Sequence, residues 1–369
     1  MKSPVHAPRP TCQVDQKPPP PSRGSKPRRI ISAFTGPGGH ATDQPRTKPL
    51  SKMGHWRSEL NVGRWTLDVG RLRRNVMSQT HNRIDECFTQ LRSAKRKGFI
   101  PYICAGDPNL KKTVELALVL ESAGADLVEL GIPFSDPLAD GVVNQLAAQR
   151  ALAVGATVGG VLECVRQIRD KSAIPIVLYT YLNPILQFGF EKFHREAEEV
   201  GVDGLLILDL PPEEETAAPP KLDRLKRSSS HGRSDAKIAN GNVFHIRLIA
   251  PTTSLERARE IAAKAKGFLY YVSREGVTGV RDAIVASLGD RLAELRKLSN
   301  LPIAVGFGIS NVEQARQVAQ DADAVVVGSA IVDLIARHGD KPDLIVKVGS
   351  FARQLADAVH STAQVGFGG

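Results

Sequence analysis

Glu129 lies in the run VELGIPFSDPLADG (128–141), flanked by Val128 and Leu130, and the same run goes on to Asp136 and Asp140. A carboxylate inside an apolar strand is costly to bury. Desolvation raises its pKa, and that readies it to exchange protons near neutrality. The loop behind it contains two prolines and can bring a second carboxylate over the same site. Two carboxylates in different environments can take different protonation roles. A second reading has Glu129 facing outward to a basic partner, as strand carboxylates often do.

Three glycine-bearing stretches come late in the chain: SREGVTG, GFGIS and VVGSAIV. Glycine lets backbone N–H groups approach an anion closely. After VVGSAIV begins, a short helix is expected to open at about Ala330, and its N-terminus adds partial positive charge. Gly279, Gly308, Gly328 and Ser329 are therefore the candidate phosphate cradle, with backbone amides carrying the anion. Ordinary tight turns are the alternative. Tyr102, Tyr181, Tyr270 and Phe307 fall near the ends of apolar runs and can form an aromatic slot, or simply pack the core. One phosphate site, one ring-sized pocket, one buried Glu and one loop Asp suggest acid/base chemistry on an aromatic phosphate ester. The sequence shows no metal-ligand cluster and no Ser–His–Asp set.

These residues need a scaffold. Eight short apolar runs alternate with amphipathic stretches: FIPYICA, DLVELGIP, PIVLYTYL, GLLILDL, VFHIRLIA, GFLYYVS, PIAVGFG and AVVVGSA. The stretches between them include KKTVELALVLESAGA, LERAREIAAKA and NVEQARQVAQDA, and a last helix is expected over 343–360. Continuous apolar strands alternating with helices indicate a parallel sheet, buried on both faces. Eight such units fit a closed (β/α)8 TIM barrel, an α/β fold whose active sites form at the C-terminal ends of the strands. NRIDECFTQLRSAKRKG predicts an extra helix before the first strand. The polar, Ser/Gly-rich stretch within 216–242 reads as a surface insertion.

The formal charge of +10 is unevenly placed. Residues 1–76 hold 15 Lys or Arg against four acids, which leaves 34 basic and 35 acidic residues in the remainder. The body is thus no polyanion-binding surface, and no nucleic-acid partner is expected. Residues 1–76 also hold 11 of the 24 prolines and both tryptophans, and they read as a disordered basic leader. Three explanations stand: an upstream stretch before a true start at Met77, a genuine tail, or a targeting peptide. The barrel domain is expected over 77–363. No apolar run of 18 residues occurs, so no membrane span is expected. Four cysteines without CxxC spacing fit a cytoplasmic chain with reduced thiols.

VELGIPFSDPLADG, together with FIPYICAGDP, DLPPEE, APTT, YYVSREGVTG, VGFGIS and VVVGSAIV in that order, resembles the tryptophan synthase alpha chain family over roughly residues 80–360. The resemblance implies retro-aldol cleavage of indole-3-glycerol phosphate to indole and glyceraldehyde 3-phosphate. It implies Glu129 as the acid/base at the indole ring carbon and Asp140 as the partner of the indole N–H. Thr278 resembles the residue that holds the Asp140 loop closed, and Tyr270 a pocket tyrosine beside Glu129. Gly279, Gly308, Gly328 and Ser329 fall on the family's phosphate site. The resemblance also implies an α2β2 complex in which the beta subunit carries pyridoxal phosphate, with none in this chain. Pro133 and Asp136 resemble the part that faces that partner.

Val142 stands where the family usually has proline. Rival readings are a phosphate-binding barrel acting mainly as activator of a beta-type partner, and a free-standing indole-producing lyase. An indoleglycerol-phosphate synthase would need strand-end lysines, which strands two and three lack.

Overall fold

The computed structural model describes residues 82–215, 242–272, 281–306, 308–339 and 341–362. The leader and nearly all of the 216–242 stretch lie outside the described residues. The chain enters through α1 (Arg83–Ser93), followed by β1 (Gly98–Cys104), α2 (Leu110–Ser122), β2 (Val128–Gly131), α3 (Val142–Ala153) and α4 (Val158–Arg169). Then come β3 (Ile176–Thr180), α5 (Leu182–Phe188), α6 (Phe190–Val200), β4 (Gly204–Ile207) and α7 (Pro212–Glu215). The second half runs β5 (Phe244–His245), β6 (Arg247–Ile249), α8 (Leu255–Ala263), β7 (Leu269–Val272) and α9 (Arg281–Arg296). It ends with β8 (Ile303–Gly306), α10 (Val312–Asp321), β9 (Ala324–Val327), α11 (Ser329–His338) and α12 (Leu344–His360).

The strands form one sheet in the order β5-β4-β3-β2-β1-β9-β8-β7-β6, and every recorded pairing is parallel. Eight strands were expected, and nine segments are present because the fifth run is divided at Ile246. β5 pairs with β4, and the Ile246 N–H donates to the Leu205 carbonyl at 2.8 Å on the same side. β6 then pairs with β7. The two ends of the sheet thus meet in one interrupted strand, and the sheet closes as a TIM barrel.

Alternation along the strands sorts the side chains into two layers. Phe99 and Ile103 of β1, Val128 and Leu130 of β2, and Ile176 and Leu178 of β3 pack outward against the helices. Ile100, Val177, Leu206, Ile246, Ala304 and Ala324 fill the barrel interior with Ile84, Phe88 and Leu91 of α1. The extra N-terminal helix therefore plugs the barrel floor. Its start is fixed by Asn82, whose side-chain oxygen accepts from the Ile84 N–H at 2.8 Å while its amide donates to the Asp203 carbonyl at 2.9 Å. Asn109, Thr157, Ser254 and Asn311 cap α2, α4, α8 and α10 in the same way. With the floor filled, the space left for a ligand is at the C-terminal ends of the strands.

Candidate active site

Glu129 occupies the second position of β2, directly opposite Tyr102 of β1 and Val177 of β3 in the ladder. Its neighbours Val128 and Leu130 face the helices, so the two-residue period turns its carboxyl inward. It is 2% exposed. Tyr270 of β7 donates its hydroxyl to Glu129 Oε2 across a long 3.5 Å. Burial, and behind it the negative charge of Asp140, pushes the Glu129 carboxyl up to about 8, against a small opposing effect from Tyr270. Near neutral pH Glu129 is therefore mainly protonated and able to donate.

Asp140 lies at the end of the ten-residue connection from β2 to α3 and is also buried. The connection folds back on itself. The Leu138 N–H donates to the Asp136 carbonyl and the Asp140 N–H to that of Pro137, both at 3.0 Å. Gln145 of α3 donates its side-chain amide to the Asp140 carbonyl at 2.9 Å. The carboxylate receives two hydroxyls, from Tyr179 to Oδ1 at 2.8 Å and from Tyr181 to Oδ2 at 2.9 Å. Burial raises its pKa, and hydrogen bonding from Tyr179, Tyr181 and Asn144 pulls it back down. Tyr181 also accepts the Ala139 N–H at 3.0 Å, which ties the loop to the start of α5. Asp209, in the DLPPEE motif, accepts the Leu182 N–H at 2.6 Å and fixes that same start from β4.

The aromatic slot exists because two strands end in glycine. A Cβ on Gly131 would lie 2.4 Å from the Tyr102 hydroxyl oxygen, and one on Gly306 would lie 2.5 Å from that of Tyr270. Tyr102 and Tyr179 pack edge to face at 5.2 Å, and Phe134 from the β2 loop packs on Tyr181 at 5.3 Å. Tyr102, Tyr181 and Tyr270, three of the four expected aromatics, thus surround the two carboxylates.

At the other side, Gly308 and Gly328 each lie two residues beyond the ladder pair Gly306–Val326. Gly308 has φ +32° with open space around its Cα. Gly328 caps α11, Ser329 is the first residue of that helix, and the Ile331 and Val332 N–H groups turn back to the Gly328 carbonyl. The amides of Ser329 and Ala330 come before these intrahelical donors, where helix N–H groups point to an anion. Thr278, Gly279 and Phe307 lie outside the described residues. Pro133 is buried within this chain, whereas Asp136 is exposed. Among the described residues, no group of three or more His, Cys, Asp or Glu is placed to hold a metal ion.

Comparison with known proteins decides the family. The tryptophan synthase alpha chain model matches residues 88–360. The tryptophan synthase alpha chain of Opitutus terrae is 47% identical over 275 residues, covering 74% of this chain and 97% of that one. That of Geobacter sulfurreducens is 44% identical, covering 75% of this chain and 99% of the relative. Tryptophan synthase subunit alpha from Legionella pneumophila superposes with a TM-score of 0.63 at 38% identity, over 76% of this chain and 98% of that one. A chain of Mycobacterium tuberculosis tryptophan synthase gives 0.63 at 30% identity, over 76% and 98%. This chain belongs to the tryptophan synthase alpha chain family.

Several residues around this alpha-chain site went unnoticed in the sequence. Tyr179 is one, although YTY places it two residues before Tyr181 and hence on the same face. Asp107 and Arg150 are others. Arg150 of α3 donates to both oxygens of buried Asp107, at 2.9 and 2.7 Å, and so pins the helix that follows the Asp140 loop to the end of β1. Nothing in the sequence links two residues 43 positions apart. Val142, the departure from the family's usual proline, is the first residue of α3, where proline and other residues are both tolerated because that N–H lacks an intrahelical partner.

Proposed function

We infer that this chain cleaves indole-3-glycerol phosphate to indole and glyceraldehyde 3-phosphate, with Glu129 and Asp140 as its catalytic pair. What carries the assignment is that pair itself: two inward carboxylates in one tyrosine-lined pocket, of which Glu129 is held near a pKa of 8. Indole leaves poorly until its C3 carries a proton. Glu129, protonated near neutrality, supplies that proton and becomes a carboxylate. The ring becomes a cationic indolenine, and Asp140 stabilises its N–H. Glu129 then takes the hydroxyl proton from the adjacent glycerol carbon as the carbon–carbon bond breaks. The bonding pair returns to the ring as C3 is released, giving neutral indole, an aldehyde and a reprotonated Glu129.

Tyr102, Tyr181 and Tyr270 line the ring side of this pocket, and Phe307 is assigned to the same side. Gly279, Gly308, Gly328 and Ser329 take the phosphate through backbone amides, supported by the paired ends of β8 and β9 and the start of α11. Thr278 is assigned to holding the Asp140 loop closed. Closure keeps indole from escaping to water.

A beta-type subunit bearing pyridoxal phosphate consumes the indole, in an α2β2 assembly. The support on this side is the loop after β2: Asp136 is exposed, and Leu138 and Val142 are 79% and 69% exposed although apolar. An uncovered apolar ridge next to the site is what a partner would bury. The test is indole release from indole-3-glycerol phosphate, with and without a beta subunit. Beta-dependent stimulation is expected. No indole release under either condition would overturn the assignment. Full activity without beta would make the chain a free-standing lyase.

A further inference from the structure

At the barrel mouth, the hydrogen bond between Tyr179 and Asp140 has no part in the acid/base scheme. We propose that Tyr179 is a positioning residue whose hydroxyl holds Asp140 ionised and aimed into the pocket while the indole N–H binds. The proposal rests on the assignment of Asp140 as the indole N–H partner.

The geometry supports this in three ways. Tyr179 donates to Oδ1 at 2.8 Å and Tyr181 to Oδ2 at 2.9 Å, so each carboxylate oxygen has a tyrosine donor, and Asn144 adds a third hydrogen bond. A carboxylate offers about four lone-pair positions, which leaves room for the indole N–H without displacing either hydroxyl. The two tyrosines also differ in duty. The Tyr181 hydroxyl accepts the Ala139 N–H and so organises the loop backbone. The Tyr179 hydroxyl goes to the carboxylate, and its ring is steadied edge to face on Tyr102.

The surroundings explain the need. The groups facing Asp140 among the described residues are Glu129 from β2, Tyr102 and Cys104 from β1, Tyr179 and Tyr181 from β3 and its end, Asn144 from α3, and Tyr270 from β7. All are neutral or acidic. Burial pushes the Asp140 carboxyl toward its protonated form, and hydrogen bonding offsets this. A protonated Asp140 could not balance the positive charge that forms on the ring.

The test compares Tyr179→Phe, which keeps the ring and removes only the hydroxyl, with the unaltered full-length chain. In 13C-aspartate-labelled protein, the Asp140 carboxyl resonance is identified by its loss in Asp140→Asn and titrated. Its midpoint is expected to rise by about one pH unit in Tyr179→Phe, the scale of one hydrogen bond to a charged group. The acid limb of kcat for indole release should move up by a similar amount, with the deficit relative to the parent shrinking as pH rises through that limb. A loss of activity by the same factor at every pH, with an unmoved Asp140 midpoint, would overturn the proposal. If the unaltered protein releases no indole, the enzymatic assignment fails, yet the carboxyl titration still decides whether Tyr179 tunes Asp140. A thermal melt of Tyr179→Phe within a few degrees of the parent shows that the comparison is made on folded protein.

Discussion

The barrel buries carboxylates at both ends and treats them in opposite ways. At the floor, Asp203 meets Arg83 at 2.7 Å and Arg169 at 2.6 Å, and it also accepts the Ile176 N–H at 2.8 Å. Asp126 is paired with Arg96 and with His360 of the last helix, and accepts the Phe99 N–H. These carboxylates tie α1, α4, α12 and the starts of β1 and β3 together. At the mouth, Glu129 and Asp140 face tyrosine hydroxyls. An arginine meets a carboxylate in a directed ion pair. A tyrosine hydroxyl brings no charge, so the floor groups hold structure, while at the mouth Glu129 is left to exchange a proton and Asp140 to face the ring. Asp107, near the mouth but bound to Arg150, follows the floor's rule and serves to anchor α3.

Substitutions can break this contrast from either side. The largest effect expected is on folding. Asp203→Ala removes the carboxylate shared by Arg83 and Arg169, and loss of one partner of a buried ion pair costs up to ~3–5 kcal/mol. Chemical denaturation should show this, with kcat per folded molecule little changed. Next come Glu129→Gln and Asp140→Asn. Each should lower indole release by at least ~100-fold, as for loss of a general acid–base group, and neither should destabilise the fold at pH 7. Glu129→Gln has a second consequence. Because the folded pKa is raised, the contribution of Glu129 to stability is full below about pH 4.5, where the unfolded chain also keeps the proton, and is lost as pH rises from there to about 8. Glu129→Gln should therefore gain on the parent steadily across that window, by up to ~5 kcal/mol at its upper end, and the difference should vanish below about pH 4.5.

A smaller effect is expected at His194 and His245, whose Nε2 atoms lie 3.3 Å apart between α6 and β5. Burial lowers both pKa values, that of His245 to about 4. The unfolded chain takes up protons first, so this contribution is full above about pH 6.5 and is lost as pH falls toward 4. Replacing His245 with Asn should flatten the acid side of the stability curve by ~1 kcal/mol without altering the pH dependence of catalysis.

Much of this contrast could be read in the sequence, for physical reasons. Continuous apolar runs announce buried parallel strands, so all eight runs appear as strands, with only the fifth divided at Ile246. Glu129 was legible because a charged residue amid Val128 and Leu130 breaks that pattern. Tyr102, Tyr181 and Tyr270 were legible by position, while Tyr179 required the alternation of β3 to be followed one step further. The arginine partners of Asp203 and Asp107 were not legible, since such pairs depend on which helices pack together. Gly131 and Gly306 lie inside the apolar runs DLVELGIP and PIAVGFG, and their role in admitting Tyr102 and Tyr270 emerges only from interior packing.

The central claim is that Glu129 keeps its proton near neutral pH because it is buried with no cation facing it among the described residues. Titration of 13C-glutamate-labelled protein, with Glu129 identified by its loss in Glu129→Gln, tests it directly. The account predicts one carboxyl resonance with a midpoint near pH 8. If the Glu129 resonance instead titrates with the surface glutamates, at about pH 4 to 5, the account is contradicted.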